Sequence, residues 1–216
     1  MDILIIGATG RTGRLVMRLA LEQGHHVTTF VRSAEKLTQP LTGVRIVQGD
    51  ARDQMMINNL ISQHKFDAVV VAVGAATFKC SDVRTVSTKN IVDALETRSP
   101  STRLWVISSA GSNESMDQLG FFSRTFLNNI LKGHISDHSK QEKLVQKSSL
   151  PYTIVRPTGL RDTAVVSDHD YMVITSEMIP TNNIRRGDLA HFIVNNIFNE
   201  KYIGKAVVLT SKPKSD

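Results

Sequence analysis

The chain has 216 residues, of which 41% are hydrophobic and 21% charged, with a formal net charge of +6. This length fits one domain with a core large enough to be stable alone. No apolar run approaches the roughly 20 residues that cross a bilayer, and a single cysteine, Cys80, excludes an intramolecular disulfide or a cysteine metal cluster. We expect a cytoplasmic protein with no metal site and no membrane partner, present as a monomer or a weak homo-oligomer.

The basic residues are scattered, and only one Trp and three Tyr are available for base stacking. Nucleic-acid binding usually combines a basic groove with aromatic platforms, so we expect no nucleic-acid partner. A positive field also attracts anionic small molecules.

The N-terminal segment places a glycine-rich turn between a strand and a helix. Residues 3–6 form a continuous apolar run, typical of a strand buried on both faces of a parallel sheet. Gly7, Gly10 and Gly13 follow in a G-x-x-G-x-x-G spacing, and a helical pattern begins at Leu15. The first N–H groups of such a helix are unpaired and bind a pyrophosphate well. The motif predicts dinucleotide binding; the alternative is a glycine-rich turn that binds nothing.

The end of the second strand indicates which dinucleotide is bound. This strand ends in Val-Arg-Ser at 31–33, with no carboxylate. NAD-binding versions of such a site place Asp or Glu there to accept from the ribose 2′-hydroxyl, whereas a guanidinium pairs with a 2′-phosphate. Arg32 therefore favours NADP(H) over NAD(H), with Arg11 and Arg14 adding positive charge. The alternative is that Arg32 is a solvated residue at a strand end.

Strands and helices alternate along the rest of the chain. Their order predicts an α/β fold, a Rossmann-type doubly wound parallel sheet with helices on both faces, over residues 1–210, with a flexible tail at 211–216. Asp188 is the predicted N-cap of the last helix. The further predicted strands are 44–50, 67–74, 104–109, 152–157 and 205–210, and the helices are 53–63, 83–96, 137–147 and one from Gly187.

Ligands of such sheets lie beyond the carboxyl ends of the strands. Asp50 is placed to accept from the adenine amino group, or else is a turn-forming residue after glycine. Gly74 lets the backbone pass close to a ribose. The candidate cofactor-binding residues are Gly7, Thr9, Gly10, Arg11, Thr12, Gly13, Arg32, Ser33, Asp50, Ala51, Val73, Gly74, Ser108, Pro157 and Thr158.

Several of these motifs together resemble the atypical short-chain dehydrogenase/reductase superfamily. More narrowly, the chain is similar to its NAD(P)-binding, NmrA-like branch, which includes the flavin reductase/biliverdin reductase B proteins. The resemblance extends from Met1 to about Leu209. Its motifs are Gly-Ala-Thr-Gly-Arg-Thr-Gly at 7–13, Val-Arg-Ser at 31–33, Gly-Asp at 49–50, Ser-Ser-Ala at 108–110 and Tyr-Thr-Ile-Val-Arg-Pro-Thr-Gly-Leu at 152–160.

The chain departs from typical family enzymes at the proton relay. These carry a Tyr-x-x-x-Lys pair before the sixth strand, where this chain has His134 and His138. The flavin/biliverdin subgroup also lacks that pair and has an Asp-His pair matching Asp137-His138, with a serine matching Ser109. The resemblance therefore implies Ser109 and His138 as catalytic candidates. Ser109 would hold the nicotinamide carboxamide or a substrate oxygen, unless it is only a small packing residue.

His138 would carry a proton or pair with an acidic substrate group, because a histidine pKa lies near physiological pH. The alternative is a solvated histidine on a helix face. Hydride transfer from NADPH to FMN, FAD or another planar conjugated acceptor needs stacking more than a dedicated acid. The implied activity is thus an NAD(P)H-dependent reductase.

Two other functions remain open. One is a non-catalytic redox sensor that binds NADP(H) and signals through an irregular segment at 112–133. The other is a nucleotide-sugar epimerase or dehydratase, which the missing tyrosine disfavours.

Two insertions after strands, about 111–131 and 158–180, are expected to form flaps over a planar, anionic substrate. Arg161 would meet its acidic group. Phe121, Phe122 and Phe126 would give the first flap an apolar face, or else pack in the core.

Overall fold

The computed structural model describes residues 1–37, 42–74, 82–162 and 169–213, with only the backbone described at 122, 128 and 130. The strands in these ranges are β1 (Asp2–Ile6), β2 (His26–Val31), β3 (Val44–Gln48), β4 (Ala68–Val71), β5 (Arg103–Ile107), β6 (Tyr152–Pro157), β7 (Gly159–Arg161), β8 (Tyr171–Ile174), β9 (Asn183–Arg185) and β10 (Lys205–Ser211). The α-helices are α1 (Arg11–Glu22), α2 (Gln54–Gln63), α3 (Val83–Arg98), α4 (Phe121–Ile130), α5 (Lys132–Gln146) and α6 (Arg186–Asn196). Short 3₁₀ turns cover Ala34–Lys36, Asn113–Met116 and Glu200–Tyr202.

Eight of these strands form one twisted sheet in the order β3-β2-β1-β4-β5-β6-β10-β8. Every neighbouring pair is parallel except β10 and β8, which run antiparallel. The order reverses direction between β1 and β4, which is the switch point where ligands bind in open α/β sheets. The predicted Rossmann-type parallel sheet is confirmed, with one antiparallel edge strand that the sequence pattern did not indicate.

Helices cover both faces of the sheet. Helices α1 and α6 pack on one face, where Val16 and Phe192 join the core around Trp105. Helices α2, α3 and α5 cover the other, with Ile57, Leu95 and Val145 in a second core. Alternate side chains of the apolar strands point to opposite faces, so both sides of the sheet are buried.

Helix α3 begins with a cap that comes from another helix. Asp82, at its N-cap position, makes no side-chain capping bond. Instead the buried Asp137 of α5 accepts from the backbone N–H groups of Arg84, at 3.2 Å, and Thr85, at 3.1 Å. It also accepts from the Thr85 hydroxyl at 2.6 Å and the Arg84 guanidinium at 3.3 Å. This carboxylate therefore fixes the start of α3.

Several predicted boundaries are wrong. Helix α5 begins at Lys132, five residues before the predicted start at Asp137. Asp188 is not the N-cap of α6, because the helix begins at Arg186 and Asp188 lies within its first turn. There Asp188 accepts from Arg185 at 2.6 and 3.0 Å and contacts His169. A carboxylate in the first turn of a helix also interacts favourably with the positive end of the helix dipole.

The described parts of the two predicted flap segments contain regular secondary structure that the sequence pattern did not indicate. Residues 111–131 contain α4, and the described part of 158–180 contributes β8 to the main sheet. The two segments contact each other, since Ile179 donates its N–H to the Gln118 carbonyl at 2.9 Å. Ser211, the first residue of the predicted tail, is the last of β10. Cys80 lies outside the described residues.

Candidate functional site

The glycine turn is held by backbone packing. Gly7 has a φ of +94°, which a side chain disfavours, and a Cβ there would lie 2.6 Å from the Ala72 carbonyl oxygen. A Cβ on Gly13 would lie 2.9 Å from the Gly7 carbonyl carbon and closer still to its oxygen. Gly10 precedes the first helical residue, and the first turn of α1 holds no acidic residue. The unpaired N–H groups of this turn are therefore open to an anion.

A cavity of about 350 Å³ opens beside this turn at the carboxyl ends of β1, β2, β3 and β4. Nine of the predicted cofactor residues line it: Gly7, Thr9, Gly10, Arg11, Arg32, Asp50, Ala51, Val73 and Gly74. Within the described part of the chain, Thr12, Gly13 and Ser33 are not part of its wall. Thr12 and Gly13 lie in the first turn of α1 behind it, and Ser33 precedes the 3₁₀ turn that follows β2.

Arg32 and Asp50 both line this cavity but differ in what else they do. Arg32 is exposed, so its guanidinium can reach a phosphate without breaking a buried contact. The Asp50 carboxylate accepts from the Arg52 N–H at 3.0 Å, as expected of a turn-forming residue. Arg14 points elsewhere and donates to the Lys36 carbonyl at 3.1 Å.

A second cavity, of about 590 Å³, lies next along the same edge, over the ends of β5 and β6. Its wall contains five predicted residues, namely Ser108, Ser109, His138, Pro157 and Thr158. The first flap adds an apolar side, formed by Leu119, Phe126, Leu127 and Leu131. The second flap adds Gly159 and Leu160, which follow β6 directly. Both predicted flap segments and these five residues thus lie in one cavity wall.

Phe121 and Phe126 do not pack in the core, because they are 76% and 51% exposed. The core-packing alternative is therefore wrong for both, and Phe126 faces the second cavity. The side chain of Phe122 lies outside the described residues. Arg161 is exposed and is not part of the described cavity wall, whereas Arg186, which the sequence analysis missed, lines it.

A buried ionic network supports the floor of the second cavity. The Ser108 hydroxyl donates to Glu142 at 2.5 Å. Arg156 donates to both oxygens of Glu142, at 2.9 and 2.7 Å, and also pairs with Glu114 at 2.7 Å. Burial opposes charge on Arg156, but the two glutamates raise the pKa of its guanidinium. Because its hydroxyl is bound by Glu142, Ser108 acts as part of this support.

His138 is buried at the wall of the second cavity. Desolvation, followed by the positive charge of Arg84, lowers its pKa to about 3. The expectation of a pKa near physiological pH is therefore wrong, and so is the alternative of a solvated surface histidine. Its Nδ1 lies 3.3 Å from the Gln141 side-chain oxygen. When Nδ1 carries the proton and donates to that oxygen, Nε2 is left as an acceptor.

Ser109 is partly buried beside it, and its hydroxyl donates to the Ala110 carbonyl at 3.1 Å. This contact with the adjoining residue leaves the oxygen able to accept a further hydrogen bond. The structure brings Ser109 and His138 together in one cavity wall.

One carboxylate joins the two cavities. Arg11 lines the first and Arg186 the second, and both pair with Asp162. Desolvation raises the pKa of the Asp162 carboxyl, but the hydrogen bonds and charges of the two arginines together lower it below its usual value. Asp162 therefore stays ionised at the boundary between the cavities.

This fold and site define a dinucleotide-binding protein of the doubly wound class, with a glycine turn at a helix N-terminus and an adjoining second cavity. A family model described as NAD(P)H-binding matches residues 7–200, and the chain belongs to that family. This membership confirms the predicted nicotinamide cofactor class.

Among curated relatives, the chain is 27% identical to the chloroplastic protein TIC 62 of Oryza sativa subsp. japonica, over 81% of this chain and 38% of the relative. The chain thus spans less than half of that relative. Among solved structures, ChuY, an anaerobillin reductase of Escherichia coli O157:H7, superposes with a TM-score of 0.82 and 22% identity over the whole of both chains. A candidate NADH-flavin reductase of Streptococcus pneumoniae TIGR4 gives a TM-score of 0.75 and 23% identity, covering 98% of this chain and 100% of that one.

No described helix is both long and apolar enough to span a bilayer. In the residues that the structure describes, no group of three or more His, Cys, Asp or Glu side chains is arranged to hold a metal ion.

Proposed function

We propose that this protein is an NADPH-dependent reductase that transfers hydride to a flavin or another planar conjugated acceptor. The observation that carries the proposal is the second cavity. It adjoins the cofactor cavity at the same edge of the sheet and has an apolar side built by α4 and the residues around it. A flat ring bound there would lie against the nicotinamide end of the cofactor. The similarity to ChuY and to the candidate NADH-flavin reductase supports this assignment at the level of the fold.

The cofactor cavity accounts for the proposed preference for NADPH. The first turn of α1 would bind the pyrophosphate through its unpaired N–H groups. Arg32 would pair with the 2′-phosphate, since it is exposed and follows β2 in the cavity wall, two strands away from Gly74 at the end of β4. When bound, the reduced nicotinamide supplies a hydride.

The residues of the second cavity would orient the acceptor rather than protonate it. His138 is neutral at physiological pH because its pKa is about 3. Through Nε2 it would accept a hydrogen bond from an N–H group of the acceptor ring. The Ser109 hydroxyl would hold the nicotinamide carboxamide or an acceptor oxygen. Solvent would supply the proton, so that reduction would need no Tyr-x-x-x-Lys pair.

The direct test is oxidation of NADPH by the purified protein with FMN, FAD, riboflavin, biliverdin and simple quinones. We expect turnover with at least one of these acceptors and weaker activity with NADH. Ser109→Ala should lower kcat, whereas Ser62→Ala, at an exposed serine of α2, should leave it unchanged. The kcat/KM profile should show no inflection near the ordinary histidine pKa of about 6.5.

Tight NADPH binding without turnover on any of these acceptors would refute the reductase. It would instead favour a redox sensor that binds NADP(H). Equal affinity for NADPH and NADH would refute only the role given to Arg32.

A further inference from the structure

Among the described residues, Arg186 is the one arginine or lysine in the wall of the second cavity. It is the first residue of α6, and its side chain is only 12% exposed. The neighbouring Arg185 is turned toward the buried Asp188, which it binds through two nitrogens. Arg185, the last residue of β9, is thus held by Asp188, whereas Arg186 lines the cavity.

The Arg186 guanidinium is already paired with an acidic side chain of the protein itself. The Asp162 carboxylate pairs with Arg186 through one oxygen and with Arg11 through the other. Asp162 is 54% exposed and Arg11 is 71% exposed, so solvent screens this group of charges. An ion pair that is exposed on both sides, such as Arg11–Asp162, contributes little free energy. A ligand anion can displace Asp162 because this carboxylate is 54% exposed and is solvated again once it leaves Arg186.

The chemistry of the guanidinium defines the ligand that would replace Asp162. Arginine binds phosphates and carboxylates through two parallel hydrogen bonds, and a phosphate carries more charge than a carboxylate. Burial of the Arg186 side chain strengthens such a contact relative to one at an exposed arginine. Arg161, only one residue before Asp162, is exposed and lies outside the described cavity wall.

We propose that Arg186 is the anion-binding subsite of the acceptor cavity, and that Asp162 occupies it until an anionic group on the acceptor takes its place. This inference rests on the proposed function, and it narrows the acceptor to planar molecules with a phosphate or carboxylate on a side chain. FMN fits this description and riboflavin, which lacks the phosphate, does not. Biliverdin fits it through its propionate carboxylates, whereas its dimethyl ester does not.

The test is ligand binding by the full chain saturated with NADP⁺, which cannot reduce the acceptor. Titrations followed by flavin fluorescence should show FMN binding about tenfold or more tightly than riboflavin, as expected for a hydrogen bond to a charged group. Biliverdin and its dimethyl ester, followed by absorbance, form the matching carboxylate pair. Preference for the anionic member of either pair supports the subsite and shows which anion it takes.

Three variants separate this contact from a general effect. Arg186→Gln should lower the affinity for the anionic member to that of its neutral analogue, without changing the neutral one. Asp162→Asn should raise the affinity for the anionic member several-fold, because it removes the competing charge. Arg161→Gln removes a positive charge from a neighbouring residue outside the described wall. It should change the affinity for neither the anionic acceptor nor its neutral analogue.

Equal binding within both pairs in the unmodified protein would overturn the subsite. So would an Arg186→Gln variant that loses both members alike, or an Asp162→Asn variant with unchanged discrimination. Asp162 is exposed, so that variant is informative even where Arg186→Gln folds poorly. If the protein binds the anionic acceptors more tightly but does not oxidise NADPH with any of them, the anion subsite stands and the reductase is refuted. If it oxidises NADPH but binds anionic and neutral acceptors equally, the reductase stands and the anion subsite is refuted.

Discussion

Replacing Gly13 by alanine tests whether backbone contact between α1 and the glycine turn sets the position of the helix. The added Cβ would lie 2.9 Å from the Gly7 carbonyl carbon and closer to its oxygen. Ordinary van der Waals contact begins near 3.4 Å, and a backbone carbonyl cannot rotate away as a side chain can. Helix α1 would have to shift away from the glycine turn, and this shift would disturb its packing against the sheet and α6.

The magnitude follows from two opposed effects. Overpacking in a close-packed interior costs about 1–3 kcal/mol, and contact with rigid backbone belongs at the upper end of that range. Alanine is favoured over glycine in a helix by about 1 kcal/mol. We therefore expect Gly13→Ala to lower the free energy of unfolding by about 2 kcal/mol, which moves a urea midpoint by about 1 M at an unchanged m-value. NADPH affinity should also fall, since the phosphate-binding turn moves.

Gly187→Ala is the matched control, because Gly187 also lies in the first turn of a helix. A Cβ there would meet nothing within 4 Å. This variant should be unchanged or up to about 1 kcal/mol more stable. If Gly13→Ala proves as stable as the unmodified protein, or if Gly187→Ala loses as much, the argument from backbone contact is refuted.

Three further predictions follow from the described contacts. Arg32→Glu should weaken NADPH binding by about 1.5–3 kcal/mol and leave NADH binding unchanged or stronger, measured by titration of both cofactors; unchanged NADPH affinity would contradict the role of Arg32. The free energy of unfolding should fall as pH drops below about 6.5, by up to about 1.4 kcal/mol per unit from His138, because its pKa of about 3 in the folded protein lies below the unfolded value. Urea unfolding between about pH 7.5 and 5 should show this slope and His138→Gln should reduce it; equal slopes would refute the assignment. Asp137→Ala should cost about 3 kcal/mol, since it leaves Arg84 buried without its carboxylate and the start of α3 without its cap. A loss below about 1 kcal/mol in the same unfolding assay would show that the start of α3 is held by other contacts.

The sequence predicted the central strands well because each is a short, nearly continuous apolar run. Residues 3–6 and 68–71, for example, are buried on both faces of the sheet, so nearly every residue in them is apolar and the strand can be recognised from the sequence. The glycine turn could be identified as well, because Gly10 and Gly13 pack against the Gly7 carbonyl within the same short segment, although Gly7 itself lies against Ala72 after β4. A short stretch of sequence was therefore enough to identify both features.

The remaining parts depend on pairing between distant residues. Strands β7 and β9 have three residues each and form a separate small sheet, with Leu160 opposite Ile184. No periodicity can be read in so short a segment. Arg186 was missed because only the fold brings it beside Asp162 and into the cavity wall. The burial of His138 was missed because the face of α5 that is covered depends on how the helix packs against α3.

The cap that Asp137 supplies to α3 connects the two helices that contribute to the walls of the two cavities. Val83 and Ser87 of α3 form part of the first cavity wall, and His138, the next residue after Asp137, forms part of the second. The capping bond spans 53 residues of sequence, so the first turn of α3 gains its anchor only after α5 has docked during folding. In the folded protein, a displacement of this part of α5 would be transmitted to the first turn of α3 through the Asp137 carboxylate.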